Sequence, residues 1–329
     1  MTHLKRLIHD ARMRYVPCLI ALLASPVSRA CIWDSDTIAS EKTRFPGVED
    51  VMFGNFPRHS KEFHEWRKKR SEEILAADPS NLAAYDDLAV SQHKLGDHTG
   101  ALATMKRKDA IKPGLYETLS NTGTFLIYAG DLPGALRQID QALEVNPNAH
   151  FGREKYQKWL IEWLMEDRRE ARSGEPGVRA LPPSGFAAFV LSRQPGKPAQ
   201  MDEPLRIEAI KAVTGMMRFA DFDNPILLEA LGDLLITGQS KDNATQYAAC
   251  AYIFAALRLP DGDEKRRVLD NHEVAAATVQ VGRETFIKQV LGGVKKGEEL
   301  AEKVRQDEIA WIAAGKDVSA EFNRKYLKP

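Results

Sequence analysis

Leu95-Gly96-Asp97-His98-Thr99-Gly100-Ala101-Leu102 is answered 34 residues later by Ala129-Gly130-Asp131-Leu132-Pro133-Gly134-Ala135-Leu136. Pro79, Pro113 and Pro147 keep the same step. A fixed period of this length marks a chain assembled from stacked supersecondary units, none of which buries its apolar face alone. Each recurring residue has a physical task. The glycine ends one helix with a left-handed residue, and the aspartate after it starts the next. Ala101 and Ala135 fall where the two helices cross closely. Pro113 and Pro147 stop the second helix before the chain turns into the following unit. Between these markers run apolar stripes at helical spacing: Tyr85, Leu88, Ala89 and Leu119, Gly123, Leu126 on the first helices, then Leu102, Met105, Ile111 and Leu136, Ile139, Leu143 on the second. These positions are read as core.

A 34-residue unit with Gly, Ala and Pro at these offsets resembles the tetratricopeptide repeat family. The likeness covers two full units, 82–115 and 116–149, inside a repeat region placed at 57–166. Gln92 and Thr122 stand where the pattern expects large apolar residues, so the units are divergent. The resemblance implies an all-α fold, a right-handed superhelix of helical hairpins, with additional C-terminal helices. Residues 57–81 then form the second helix of an unpaired preceding unit. Residues 148–166 form the first helix of a third, with Trp159 and Trp163 capping the exposed end of the stack.

Outside the repeats, composition sets the boundaries. Between Ser173 and Gln200, nine of 28 residues are Gly or Pro, and 167–200 is read as a linker in which Phe186–Leu191 is a strand-like or docking patch. Asn224-Pro225 opens a helix, and 201–262 resembles a degenerate tetratricopeptide hairpin. The last segment, 263–329, reads as polar-faced helices broken at Gly292-Gly293 and Gly315. At the other end, 31–56 carries Trp33, Phe45, Phe53 and Phe56, too apolar for a free tail and expected to be pinned on the helices.

Residues 1–30 have the three parts of a secretory signal: basic residues at Lys5, Arg6, Arg12 and Arg14, an apolar run over Val16–Ala24, and Ser28-Arg29-Ala30 before the cleavage point. The run is far shorter than the roughly 20 residues of a membrane span. An exported, periplasmic or secreted protein with no transmembrane helix in the mature chain is expected. Lys+Arg and Asp+Glu both total 46 over the whole chain, and removal of 1–30 leaves 41 against 45. That balance offers no field for nucleic acid. Of the three cysteines, Cys18 lies in the signal, leaving Cys31 and Cys250. A disulfide between them, a lipid or cross-link at Cys31, and a free thiol all stay open.

The chain contains no complete catalytic constellation. Ser91-Gln92-His93-Lys94 has Ser-x-x-Lys spacing but sits inside a repeat helix and lacks a Lys-Thr-Gly companion. His64-Glu65 and His272-Glu273 lack a second histidine four residues after the first. Asp34 and Asp36 are read as caps of a helix near Thr37, and Arg67-Lys68-Lys69-Arg70 as a solvated face balanced by Glu62, Glu65, Glu72 and Glu73. No cofactor, metal or enzymatic activity is expected. A binding or scaffold module is, since the first helices of such stacks line a concave groove for a peptide. The groove positions are Asp86, Val90 and His93, then Asn121, Thr124 and Tyr128, then Glu154, Lys155 and Lys158. Among family residues that grip a C-terminal carboxylate, only Asn121 has a counterpart in place. Two rival readings are an enzymatic or small-ligand site between the repeats and the 201–329 region, and an envelope role through Cys31.

Overall fold

The computed structural model describes residues 33–37, 46–148, 152–166, 183–238, 244–277, 279 and 282–327. The signal-like segment, Cys18 and Cys31 lie outside the described residues. The fold is all-α. Its helices are α1 (Val48–Met52), α2 (Lys61–Ala77), α3 (Leu82–Lys94), α4 (His98–Ile111), α5 (Tyr116–Tyr128), α6 (Leu132–Val145), α7 (Arg153–Met165), α8 (Gly185–Ser192), α9 (Glu203–Phe219), α10 (Pro225–Leu235), α11 (Ala244–Arg258), α12 (Asp263–Ala276), α13 (Arg283–Ala313) and α14 (Val318–Tyr326). No helix among the described residues is long and apolar enough to cross a membrane.

The local signals act as their chemistry dictates. Asp97 and Asp131 accept from the amides of Gly100 and Gly134, both at 2.8 Å, capping α4 and α6. Gly96 and Gly130 adopt φ of +88° and +84°, which closes the α3/α4 and α5/α6 turns without a Cβ clash. All four helix boundaries of the first hairpin recur 34 residues on in the second. Ala101 and Ala135 are wholly buried at the helix crossings.

From α2 to α7 each helix packs on its neighbour in sequence; α7 then meets α9, and α9 to α12 continue in order. The largest core lies in this second half. Every residue of α10 from Ile226 to Leu235 is buried. Its two carboxylates are partnered: Glu229 by Arg267 of α12 at 2.8 Å, and Asp233 by the Phe186 amide at 2.8 Å and the Tyr252 hydroxyl at 2.7 Å.

Three sequence expectations change. Phe186–Leu191 is helical, not strand-like: α8 inserts into the core with Asp233 receiving its N-terminal amide, so part of the supposed linker is a structural element. Trp163 caps no exposed end. It is fully buried against Phe186, because α8 and α9 cover α7. Gly292-Gly293 does not break a helix either, since α13 runs through it for 31 residues. The reason is contact: a Cβ on Gly293 would stand 2.2 Å from the Phe53 ring, and one on Gly297 2.1 Å from the Phe53 carbonyl oxygen. Glycine lets α13 lie against the Phe53–Gly54 turn that follows α1.

Candidate functional site

Residues 33–37 lie on the first helices of the hairpins. Asn121, in the middle of α5 and wholly buried, accepts from the Trp33 amide at 2.8 Å and donates to the Trp33 carbonyl at 2.9 Å. One side-chain amide thus satisfies both main-chain groups of one residue, as a neighbouring strand would. Asn121 also donates to Asp86 at 3.3 Å, and Lys108 Nζ approaches both Asp86 oxygens at 2.7 and 2.6 Å. Burial pushes the Asp86 carboxyl up to about 7, against the pull of the Lys108 charge. Two residues beyond Trp33, the Ser35 amide and hydroxyl donate to Asp87 at 3.1 and 2.8 Å. The Trp33 ring meets Tyr116 edge-on with centroids 5.6 Å apart.

The segment ends on Arg67 of α2. Its Nη1 lies 2.7 Å from Asp34 and within hydrogen-bonding reach of Asp36, while Nε donates to Ser91 at 2.7 Å. Burial opposes the charge on Arg67, yet the two carboxylates outweigh it and raise its pKa. Burial likewise opposes ionisation of Asp34, but the Arg67 charge and the Thr37 amide bond hold its carboxyl below the usual range. Next to Arg67, His64 is kept well below the ordinary imidazole pKa, first by burial and then by the Arg67 charge.

Six of the nine groove positions, Asp86, Val90, His93, Asn121, Thr124 and Glu154, are buried. His93 stacks on Phe125 and meets Tyr128 edge-on. Thr124 accepts from Gln157 at 3.2 Å, and Tyr116 donates to Glu154. Lys155 and Lys158 sit farther out, half-buried, paired with Glu208 at 2.9 Å and Asp140 at 2.6 Å. The structure therefore brings Asp86 and Asn121 together around Trp33 and leaves Lys155 and Lys158 in separate ion pairs.

Arg67, His64, Asp34 and Asp36 were legible as residues but not as a cluster. Arg67 belongs to no solvated face: Lys68 and Arg70 pair outward with Glu72 and Glu73, whereas Phe63, Arg67, Ser71 and Leu75 make a buried stripe at i, i+4. That spacing was the available signal. Ser91 acts structurally, donating to the Asp87 carbonyl while it receives Arg67.

Beyond Arg67 opens a cavity of about 290 Å³, between α2, the 33–37 segment and the turn that follows α9, with Phe322 of α14 at one side. Lys94 reaches across to the carbonyls of Phe219, at 3.0 Å, and Ala220. His59 Nδ1 lies 2.6 Å from the buried carboxylate of Glu308, which also accepts the Ser60 amide at 2.9 Å and so ties α13 to the start of α2. A second cavity, about 620 Å³, lies between α1, α11 and α13. Cys250 faces it as a buried free thiol, and burial pushes its pKa up to about 12. No three His, Cys, Asp or Glu side chains among the described residues converge in a way that would hold a metal. No protein-family model matches this chain, and a search of curated proteins returns no relative.

Proposed function

We propose that this chain is an exported binding module of the tetratricopeptide type, which holds a short peptide segment along the first helices of its hairpins. The observation that carries this reading is the two-point grip of Asn121 on the Trp33 main chain. A side-chain amide bonded to both the amide and the carbonyl of one residue grips that residue's main chain whatever its side chain. Aspartate at the first and third positions after the aromatic, Asp34 and Asp36 on Arg67, adds selectivity for an acidic stretch. The recurrence of the helix boundaries at 34 residues supports the family reading. In this picture 33–37 occupies the peptide's place, and a partner of like chemistry competes with it.

The test is peptide binding in trans. A fluorescent peptide carrying the Trp-Asp-Ser-Asp-Thr order of 33–37 is titrated into the chain and into a Trp33→Ala/Asp36→Ala variant whose own segment is weakened. The variant should take up the peptide more tightly than the parent, and addition of Asn121→Ala should abolish the gain. A folded variant with no measurable uptake overturns the reading.

A further inference from the structure

The cavity beyond Arg67 shares Arg67 and the wall residues Asp34, Asp36 and Thr37 with the peptide reading, but its remaining lining has a chemistry of its own. Two of the side chains lining it carry buried nitrogens without a hydrogen-bond partner among the described residues: Nη2 of Arg67, a residue 4% exposed, and Nδ1 of His64, 9% exposed. Buried polar atoms of this kind are rare because each forfeits its hydration, and an unpaired guanidinium N–H is the costlier case. Arg67 already uses Nη1 on Asp34 and Asp36 and Nε on Ser91, and Nη2 has no acceptor among the described residues. His64 offers its nitrogen as a neutral ring, able to donate or accept according to tautomer.

The charge around this pair is positive. Arg58, Lys61, Lys94 and Arg218 join Arg67 on the wall, five cations against three aspartates, and two of those aspartates are committed to Arg67. Phenylalanine rings share the wall with a few aliphatic side chains: Phe222 stacks under the Arg58 guanidinium at 4.6 Å, with Phe219 and Phe322 nearby. A volume of about 290 Å³ lies just below the roughly 300–1,000 Å³ typical of drug-sized ligand sites and suits a smaller molecule.

We infer that this cavity binds a small organic anion, with its oxyanion head, carboxylate or phosphate, on Arg67 Nη2 and His64 Nδ1 and its apolar body against the phenylalanine rings. The head supplies the acceptors that the two nitrogens lack. The rings favour an unsaturated or aromatic body over a bare ion. Because the wall is shared by α2, the turn after α9 and α14, occupancy ties the hairpin region to the C-terminal helices.

Calorimetric titration in low-salt, phosphate-free buffer tests this with phenyl phosphate, benzoate, their neutral analogue benzamide and inorganic phosphate as probes. At least one of the two aromatic anions should bind, raise the melting temperature and outcompete benzamide at least tenfold. Inorganic phosphate binding as tightly as phenyl phosphate would place recognition in the head alone and overturn the assignment of an organic ligand. Arg67→Gln and His64→Phe, the latter keeping the ring and removing its nitrogens, should each weaken the anion at least tenfold. Should Arg67→Gln fail to fold, His64→Phe together with the His64 side-chain nitrogen shifts on titration decides the matter. No binding by either aromatic anion, equal binding of benzamide, or affinity untouched by His64→Phe with unmoved nitrogen shifts overturns the proposal.

Discussion

Asn121 and Trp33, 88 residues apart, exchange two hydrogen bonds of 2.8 and 2.9 Å between one side-chain amide and one residue's main chain. Truncation at Asn121→Ala leaves the Trp33 amide and carbonyl to find water at a partly buried site. The expected cost is about 1–3 kcal/mol. Urea unfolding measures it, and hydrogen exchange should show that amides of 33–37 lose protection before those of α5.

Asp86 and Lys108 form a buried pair whose separate removal is asymmetric. Asp86→Leu leaves an ammonium that is 1% exposed without its carboxylate, and should destabilise by about 3–5 kcal/mol. Lys108→Met should cost less, because burial already favours the neutral Asp86 carboxyl. Restoration of most of the lost stability in the Asp86→Leu/Lys108→Met double variant, read from a double-mutant cycle, would confirm the coupling.

Acid should weaken the fold through His64. An imidazole held neutral in the native state takes up a proton on unfolding once the pH falls below its ordinary value of about 6.5. The stability it contributes is therefore complete above that pH and is lost as the pH falls towards the depressed native value. The slope reaches at most about 1.4 kcal/mol per pH unit. Denaturant midpoints at pH 7.5, 6 and 5 should fall more steeply for the parent than for His64→Phe.

Glycines in α13 give a contrast within one helix. Gly292 has open space at its Cβ, so Gly292→Ala should be neutral or stabilise by up to about 1 kcal/mol through helix propensity. Gly297→Ala sets a methyl 2.1 Å from the Phe53 carbonyl oxygen and should cost about 1–3 kcal/mol. Thermal melts of the two variants separate these outcomes. Equal behaviour would mean that α13 does not seat on the Phe53–Gly54 turn.

The hairpins were legible because their determinants are local: Gly96 and Gly130 set the turns, and Asp97 and Asp131 start the helices within a few residues. What covers the first helices was not, because it depends on pairings such as Trp33 with Asn121 that no local pattern encodes. Arg67 was misplaced for a related reason. Its charge run reads as solvated, and only the meeting with Asp34 and Asp36 makes burial tolerable. Glycine misled in α13, where it serves close approach to Phe53 and not a break. Apolar Phe186–Leu191 announced burial but was too short to announce a helix.

The contact of His59 with Glu308 joins residues 249 apart in a chain whose most extensive packing is between helices adjacent in sequence. Pairs such as α3/α4 and α5/α6 have low contact order and can zip on fast timescales, whereas docking of α13 and α14 beside α2 must close a loop of 249 of the 329 residues. Refolding should therefore proceed in two kinetic stages, helical signal first and burial of Glu308 afterwards. The cavity walled by α2 and Phe322 takes shape only in the second.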